Sequence, residues 1–529
     1  MNTESAPPLT ASRRRLPWFP IITLLLGAGA VIYLRSLPEF ERNLKGWLSA
    51  GIPLLILLLN ILWFVITPRF SWKTRLVGVL VLVAVGFGFK LAVRVDGTMD
   101  GTGLPKFAWK WSSSSQPKAK EIAPLIAEAS TSVVQDPRLA QASDVPQFFG
   151  PNRDGVITGA GLARDWKSKP PKEFWRQPIG QGWSAYAVVG GKAYTQEQRG
   201  EEELVTCYDL FTGKLIWAHA DDAHFSQWQS GDGPHATPTV HEGRVYTYGG
   251  TGLLNCLEAS TGKPIWQRSV LTENKLANIE WGTSSSPLIV DDKVVVTGGY
   301  TLGPVLFAYQ CETGEPVWKA GHDEASYASP ALATLAGKQV ILSNNARALT
   351  AFDPASGTVL LDYAWGGDKW PKASQPLVLS GDRIFLSAGY GMGCQMLQIK
   401  AEADGSLSAA ELWTGMKMKT QFNSPSAKDG YAYGLDDGRF ACIDLATGER
   451  LWKEGRFASG QSLLVDDLVI IQNESGPVHL AVAKPEGFEE LGKVEALSSK
   501  TWNHPTLSGR YLLVRNDREA VCYELPLMK

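Results

Sequence analysis

The chain has 529 residues, which is too long for one ordinary compact core, so either several domains or a repeat architecture is expected. Its 51 basic and 53 acidic side chains give a formal net charge of −2. No basic run is interleaved with aromatic residues, so neither nucleic acid nor an acidic partner is indicated. Hydrophobic residues make up 44% and charged residues 20%, as in ordinary globular protein.

Three apolar stretches lie in the first hundred residues, at 18–34, 47–66 and 76–93. A membrane-spanning helix needs about 20 mostly apolar residues. The second stretch has this length, and the third carries Lys90 near its end, where a lysine can extend to the membrane interface. Residues 1–96 are therefore predicted to be a membrane anchor of about three transmembrane helices.

The positive charges near these stretches predict an orientation. Arg13 to Arg15 precede the first stretch, and the loop 67–75 holds three basic residues and no acidic one. Basic flanks stay in the cytoplasm, so three spans place the rest of the chain on the periplasmic side of the inner membrane. An alternative makes the first stretch a cleaved signal peptide, because 27–30 is a run of small residues.

Residues 97–146 are predicted to be a linker, since serine, proline and alanine are scattered through them.

Beyond the linker, one phrase recurs about every 50 residues. It consists of an acidic or polar residue, then Thr-Gly, then Trp. The copies lie at 209–217, 258–266, 310–318 and 444–452, with a degenerate copy at 353–357.

Each part of the phrase has a physical role. Asp bonds the backbone ahead of it and Gly supplies a positive φ, so Asp-x-x-Thr-Gly predicts a turn. The following Trp begins an outer strand and can fill the gap to the neighbouring sheet. The tryptophans predicted to dock one blade on the next are Trp175, Trp217, Trp266, Trp318 and Trp452.

A Ser/Thr-Pro or similar element precedes each set of strands, as at 237–238, 286–287 and 329–330. Counting these inner strands gives eight units of four short strands each. The last unit lacks an outer strand, and the segment 173–176 resembles the missing piece. The prediction is an all-β fold, an eight-bladed β-propeller over residues 147–529, closed into a ring by 173–176.

Six cysteines are present, and four of them recur at one position of the repeat. Equivalent strands of different blades rarely bring two cysteines within the roughly 7 Å between Cα atoms that a disulfide needs. We therefore interpret all six as small buried residues. No Cys/His spacing typical of a zinc site occurs, so no metal ligand is assigned.

The Asp-x-x-Thr-Gly-x-x-x-Trp phrases closely resemble the pyrroloquinoline-quinone-type (PQQ-like) propeller repeat. The segment from Phe149 to Gly155, Phe-Gly-Pro-Asn-Arg-Asp-Gly, resembles the opening of bacterial propellers of this kind. The resemblance implies one of two activities. Quinoprotein dehydrogenases bind pyrroloquinoline quinone (PQQ) and a divalent metal, usually Ca²⁺, in the centre of the propeller. Non-catalytic members, including the outer-membrane assembly lipoprotein, bind proteins or act as scaffolds.

A candidate site follows from the repeat, because the loops that lead into the inner strands surround one end of the central channel. Aromatic residues there could stack on a flat cofactor or anchor a protein partner. Packing and ordinary hydrogen bonding are the alternative for each of them. The candidate residues at this channel mouth are Trp183, His235, Trp281, Tyr327, Lys372, Gln375, Asn423, Trp502 and His504.

The leading hypothesis from the sequence is a membrane-anchored, non-catalytic module of the cell envelope that binds a protein partner. The alternative is a membrane-bound PQQ-dependent dehydrogenase that oxidises an alcohol or a sugar. The chain lacks the adjacent cysteine pair of soluble quinoprotein alcohol dehydrogenases, and no catalytic base or metal set is identified. PQQ and Ca²⁺ are thus cofactors that the resemblance alone implies.

Overall fold

The computed structural model describes residues 16–37, 39–112, 137–367 and 371–528. The chain forms two compact units. The first consists of residues 1–95 and 107–113, and the second of residues 96–106 and 114–529.

The first unit contains three helices, Trp18–Ser36, Arg42–Ile66 and Trp72–Ala92. Each is long and apolar enough to cross a membrane. The first two helices pack together through a polar contact, since Asn60 Nδ2 donates a 3.0 Å hydrogen bond to Thr23 Oγ1. A hydrogen bond of this kind between apolar helices contributes about 0.6 kcal/mol on average.

A hairpin follows the third helix, with strands Val93–Thr98 and Pro105–Trp109. Its turn is closed by the backbone bonds from Met99 N to Leu104 O at 2.8 Å and from Gly103 N to Asp100 O at 3.3 Å. Residues 96–106, which we call the hairpin tip, belong to the second unit. The prediction of a linker over 97–146 did not include this hairpin, although its Asp-Gly-Thr repeats are turn signals.

The second unit is a ring of eight four-stranded antiparallel blades, which confirms the prediction of an eight-bladed all-β propeller. Blade 1 consists of Ala187–Val189, Lys192–Arg199, Glu202–Asp209 and Leu215–Asp221, and blade 2 of Thr239–His241, Arg244–Tyr248, Leu253–Glu258 and Pro264–Ser269. Blade 3 consists of Leu288–Val290, Lys293–Thr297, Leu306–Gln310 and Pro316–Ala320, and blade 4 of Ala331–Leu335, Lys338–Asn344, Ala348–Phe352 and Val359–Ala364.

Blades 5 to 8 follow in the same order from inner to outer strand. Blade 5 consists of Leu377–Leu379, Arg383–Ala388, Gly393–Ala401 and Leu407–Gly415, and blade 6 of Ser426–Lys428, Tyr431–Asp436, Arg439–Asp444 and Arg450–Glu454. Blade 7 consists of Gln461–Val465, Leu468–Gln472, Val478–Val482 and Glu490–Val494, and blade 8 of Thr506–Ser508, Tyr511–Arg515, Glu519–Glu524 and Lys172–Pro178. The outer strand of blade 8 therefore comes from the start of the propeller, with Trp175 opposite Cys522. A short strand, Val156–Ile157, also adds in parallel to blade 7.

An outer-strand tryptophan joins one blade to the next at six of the eight junctions, while the outer strands of blades 4 and 7 carry none. Each indole N–H donates to a backbone carbonyl of the following blade, and five of the six rings lie on the glycine of that blade's outer turn, the exception being Trp452. The donors and acceptors are Trp175 and Leu210, Trp217 and Ala259, Trp266 and Cys311, Trp318 and Pro354, Trp413 and Leu445, and Trp452 and Lys484, at 2.8–3.2 Å. All six cysteines are buried and free.

A second set of bonds joins the inner strands around the channel. The Ser286 hydroxyl accepts a 2.9 Å hydrogen bond from the backbone N–H of Thr237 in the preceding blade, and Ser329 does the same for Ser286. Ser424 accepts from Gln375 in the same way, at 2.9 Å. These are the hydroxyls of the Ser/Thr-Pro elements, and they satisfy buried N–H groups that would otherwise lack a partner.

Residues 144–157, which we call the floor segment, bond to the inner strands of several blades. Val145 pairs with Val188 of blade 1, and the carbonyl of Gly155 accepts a 2.9 Å bond from the Ser426 hydroxyl of blade 6. Arg153 is buried and donates to the carbonyls of Pro330 at 2.6 Å and of Pro287. Because it is buried, the pKa of Arg153 is lowered to about 9.

Candidate functional site: the mouth of the central channel

The end of the channel at which the inner strands begin carries a cluster of aromatic and charged side chains. Trp183 precedes blade 1, Phe422 precedes blade 6, and Lys500 and Trp502 precede blade 8. Glu474 lies in the turn between the second and third strands of blade 7. We call these five residues the channel mouth, because ring closure brings them together from four blades.

The Lys500 ammonium lies beside the pair of indoles in the mouth. The Trp183 and Trp502 rings are 4.8 Å apart between centroids, and the Lys500 ammonium is 4.2 Å from the Trp502 centroid and 5.2 Å from that of Trp183. Phe422 packs on the other side of Trp502, at 5.2 Å. Burial lowers the pKa of Lys500. The aromatic faces offer this half-buried ammonium a cation–π environment.

Glu474 is the acidic centre of the mouth and is only 4% exposed. Its Oε2 accepts a 3.0 Å bond from the backbone N–H of Ser459, and its Oε1 accepts a 2.6 Å bond from the Trp502 indole. These bonds hold the carboxylate in one orientation. The same Oε1 atom also accepts a 2.6 Å bond from the backbone N–H of Gly101.

Gly101 belongs to the hairpin tip, so the mouth is occupied by the chain itself. Thr98 of the tip accepts a 3.3 Å bond from the Lys500 ammonium and donates a 3.2 Å bond to the Gln229 carbonyl. Thr98 and Thr102 are both buried, at 5% and 7% exposure. The tip therefore lies in the mouth with its backbone and hydroxyl groups bonded to it.

Trp281 and Tyr327 form a second aromatic pair on the same face. Their rings are stacked at 5.3 Å, and the Tyr327 hydroxyl accepts a 3.2 Å bond from the backbone N–H of Trp281. The Trp281 indole donates to the Gln229 side chain at 3.1 Å. Because Gln229 also bonds Thr98 through its carbonyl, this pair adjoins the hairpin tip.

Three other candidates serve the architecture of the ring. Lys372 is fully buried, and its ammonium donates to the Ala346 carbonyl and lies 5.5 Å from the Trp365 centroid. Burial lowers its pKa to about 8. The Gln375 amide, oriented to satisfy both groups, bonds the backbone N–H and C=O of Ser329 at 2.8 Å each. Asn423 donates to the Leu435 carbonyl at 3.3 Å.

The two histidine candidates do not share a site. His504 packs on Phe149 of the floor segment, at 5.1 Å between centroids, and its Nε2 lies 3.0 Å from the Ser462 carbonyl oxygen. His235 packs edge-on against Phe225 at 5.9 Å. Burial lowers the pKa of both imidazoles to about 4, so both are neutral at pH 7. Trp370, another aromatic residue in the loops that lead into the inner strands, lies outside the described residues.

Sequence reasoning found Trp183 and Trp502 but missed Glu474, Lys500 and the hairpin tip. One signal was available. The turn that holds Glu474 corresponds to the Gly249-Gly250 turn of blade 2 and the Gly298-Gly299 turn of blade 3, and its equivalent in blade 8 is Asn516-Asp517, so two blades carry a carboxylate where two others carry glycine. Side chains that differ between blades at one position of the repeat are candidates for function, because the packing that all blades share does not require them.

The mouth does not fit PQQ with Ca²⁺ as it stands. The hairpin tip lies against Glu474 and Lys500, and both Glu474 oxygens already accept hydrogen bonds. Within the described ranges, no group of three or more His, Cys, Asp or Glu side chains is arranged to hold a metal ion. In this structure the mouth holds a turn of the chain's own hairpin.

The eight blades, the Trp-to-turn docking and the closing of the ring by an upstream strand define a quinoprotein-type propeller. A family model described as outer membrane protein assembly factor BamB matches residues 201–454. The propeller belongs to the PQQ-like β-propeller family.

Curated relatives of two kinds are similar to this chain. It is 29% identical over 211 residues to the quinohemoprotein alcohol dehydrogenase ADH-IIG of Pseudomonas putida. That match covers 34% of this chain and only 28% of the dehydrogenase. It is 23% identical over 362 residues to the outer membrane protein assembly factor BamB of Burkholderia pseudomallei, covering 65% of this chain and 85% of that protein.

Solved structures show the same fold at low identity. BamB from Moraxella catarrhalis aligns with a TM-score of 0.51 and 14% identity over 67% of this chain and all of that chain. The quinohemoprotein alcohol dehydrogenase ADHIIG from Pseudomonas putida HK5 aligns with a TM-score of 0.53 and 14% identity, over 75% of this chain and 83% of that one. Both kinds of protein share the propeller, so the fold does not choose between their activities.

Proposed function

We propose that this chain is a membrane-anchored propeller of the cell envelope that binds a protein partner and catalyses no reaction. One observation carries this proposal. The channel mouth holds a polypeptide turn, through Glu474 and Lys500, at the place where the resemblance puts the cofactor of a dehydrogenase. A mouth shaped around backbone and hydroxyl groups suits a protein partner better than a flat quinone.

The proposed location is the inner membrane, with the propeller on the periplasmic side. Three apolar helices support the anchor, and the basic residues of the 67–75 loop support the orientation. Similarity over most of the length of BamB proteins supports an envelope partner for the propeller.

Single cysteines would test the orientation, because all six native cysteines are buried and should not react. Ser260→Cys, on the propeller surface, should react with a membrane-impermeant maleimide in intact spheroplasts. Ser71→Cys, in the loop between the second and third helices, should react only after the membrane is permeabilised. The opposite pattern would overturn the proposed orientation.

The alternative function, a PQQ-dependent dehydrogenase, is favoured by the 29% identity to ADH-IIG. The detergent-solubilised chain should be titrated with PQQ and Ca²⁺ while its tryptophan fluorescence is followed, and then assayed with alcohols and sugars and an artificial electron acceptor. We expect neither saturable quenching at micromolar PQQ nor dye reduction. Saturable quenching together with turnover would replace the scaffold function by the dehydrogenase.

A further inference from the structure

We propose that the channel mouth recognises a glycine-containing turn on a partner protein, and that the chain's own hairpin tip occupies this site as an intramolecular ligand. The inference rests on the proposed function, because it specifies the chemistry of the partner that the scaffold binds.

The first element of recognition is an oriented carboxylate. Glu474 is buried and fixed by Ser459 and Trp502, and it accepts the N–H of Gly101 at 2.6 Å. A backbone N–H at the head of a turn is a general feature of polypeptide and requires no particular side chain. A hydrogen bond to a charged group is stronger than one between neutral groups, so this contact binds the turn firmly.

The second element is selection for glycine. A Cβ atom at Gly101 would overlap the Ser459 side chain and would lie 3.0 Å from the Phe422 ring. The exclusion is steric, since Gly101 is absent from the residues that adopt a positive φ. A partner turn must therefore carry glycine at this point, and any larger residue would be rejected by the wall of the mouth.

The third element is a hydroxyl group three residues before the glycine. Thr98 Oγ1 accepts from the Lys500 ammonium at 3.3 Å and donates to the Gln229 carbonyl at 3.2 Å. Lys500 also contacts the rings of Trp183 and Trp502, which do not belong to the tip. The mouth thus reads Thr-x-x-Gly, or Ser-x-x-Gly, in a tight turn with an available N–H.

Because the tip is part of the same polypeptide, it competes with any partner at a high effective concentration, of the order of millimolar for a short connection. The apparent affinity for a partner is the intrinsic affinity of the open mouth multiplied by the fraction of molecules in which the mouth is open. We therefore expect the wild-type chain to bind turns weakly, and a variant with an expelled tip to bind them well.

The test uses the full-length protein and a head-to-tail cyclic peptide of residues 96–106, labelled with fluorescein on the amine of Lys106. The protein variant Gly101→Trp expels its own tip. We expect this variant to bind the peptide with micromolar Kd in fluorescence anisotropy, and the wild type to bind at least tenfold more weakly. A peptide with Gly101→Val should not bind, and adding Glu474→Gln to the protein should weaken binding about tenfold or more. The matched control Glu489→Gln, an exposed carboxylate paired with Lys484, should leave binding unchanged.

A second measurement does not depend on the Gly101→Trp variant being folded. Glu474→Gln alone should loosen the tip, so that trypsin cleaves after Lys106 about tenfold faster than in the wild type, while Glu489→Gln should not change the rate. If folded Gly101→Trp does not bind the cyclic peptide, or if Glu474→Gln leaves cleavage unchanged, the turn-recognition site is wrong. Either result leaves the PQQ titration untouched, so this failure differs from failure of the proposed function.

Discussion

The indole of Trp266 lies directly on Gly314, so that a Cβ atom at Gly314 would stand 2.6 Å from the ring. Gly314 also has a φ of 70°. Thus the Thr-Gly turn of blade 3 uses glycine for two reasons, backbone conformation and contact with blade 2. The same arrangement recurs between other blades, which explains why the glycine and the tryptophan repeat together.

Gly314→Ala should lower the free energy of unfolding by about 2–4 kcal/mol, because it adds a clash of overpacking to the cost of a positive φ. The measurement is a urea denaturation curve of the full chain in detergent. Gly243→Ala is the matched control, since Gly243 has a φ of 74° and no atom near the position of a Cβ. It should cost only about 1 kcal/mol. Equal losses in the two variants would mean that Trp266 does not press on the turn.

Ser286→Ala should destabilise the ring by about 1–3 kcal/mol, because it leaves the buried N–H of Thr237 without an acceptor. Ser286→Thr keeps the hydroxyl, and threonine already occupies the equivalent position of blade 2 as Thr237. It should therefore retain most of the stability. Thermal unfolding followed by circular dichroism distinguishes the two variants, and equal losses would exclude the hydrogen bond as the cause.

Arg153→Met should cost about 3 kcal/mol or more, since it removes the donors to the carbonyls of Pro287 and Pro330 inside the channel. Arg153→Lys should recover only part of the loss, because the compact ammonium has fewer donors and lacks the planar fork that the guanidinium presents to the two carbonyls. The exposed Arg164, paired with Asp467, provides a control whose replacement by Met should change the free energy of unfolding, measured by urea denaturation, by less than about 0.5 kcal/mol.

Glu203 makes stability depend on pH. Burial, helped by Asp221 directly opposite on the next strand, raises the pKa of Glu203 to about 8. Its carboxyl therefore keeps a proton in the folded state that the unfolded chain releases near pH 4.5. Stability contributed by this proton is complete below pH 4.5 and is lost as the pH rises to about 8.

Glu203→Gln should abolish that decline, which for one proton is at most about 1.4 kcal/mol per pH unit. Urea midpoints at several pH values between 5 and 8 provide the measurement. Glu258→Gln is the control of opposite sign, because hydrogen bonds from Thr261 and Ser260 lower the pKa of this exposed carboxyl. The stability that ionised Glu258 contributes is lost only as the pH falls. Above pH 5 the Glu258→Gln variant should therefore show the same pH dependence of stability as the wild type.

The blades could be predicted from the sequence because their causes are local. Asp209, Gly213 and Trp217 lie within nine residues, and turn, strand and docking all follow from that spacing. The outer-strand Trp413 was missed, since blade 5 has a longer outer hairpin and no Thr-Gly precedes this residue. Its indole nevertheless bonds the Leu445 carbonyl as the others do.

The mouth could be predicted only in part, because its contacts depend on ring closure. Trp183 and Trp502 are more than 300 residues apart in the chain and meet only when blade 8 lies beside blade 1. No local pattern indicates that Gly101 should reach Glu474. His504 was expected at the mouth and instead contacts the floor segment, because the residues that begin one inner strand extend over much of the channel's depth.

Blade 8 is built from both ends of the propeller's own chain, since Lys172–Pro178 pairs with Glu519–Glu524. Its outer strand is synthesised first and its third strand last. Until Glu519–Glu524 has been synthesised, the ring stays open with two unpaired sheet edges. A chain that stops after blade 7 would not form a smaller closed ring, and its unpaired strand edges would be prone to aggregation. Cooperativity is thereby imposed on a repeat architecture whose linear counterparts can unfold one unit at a time.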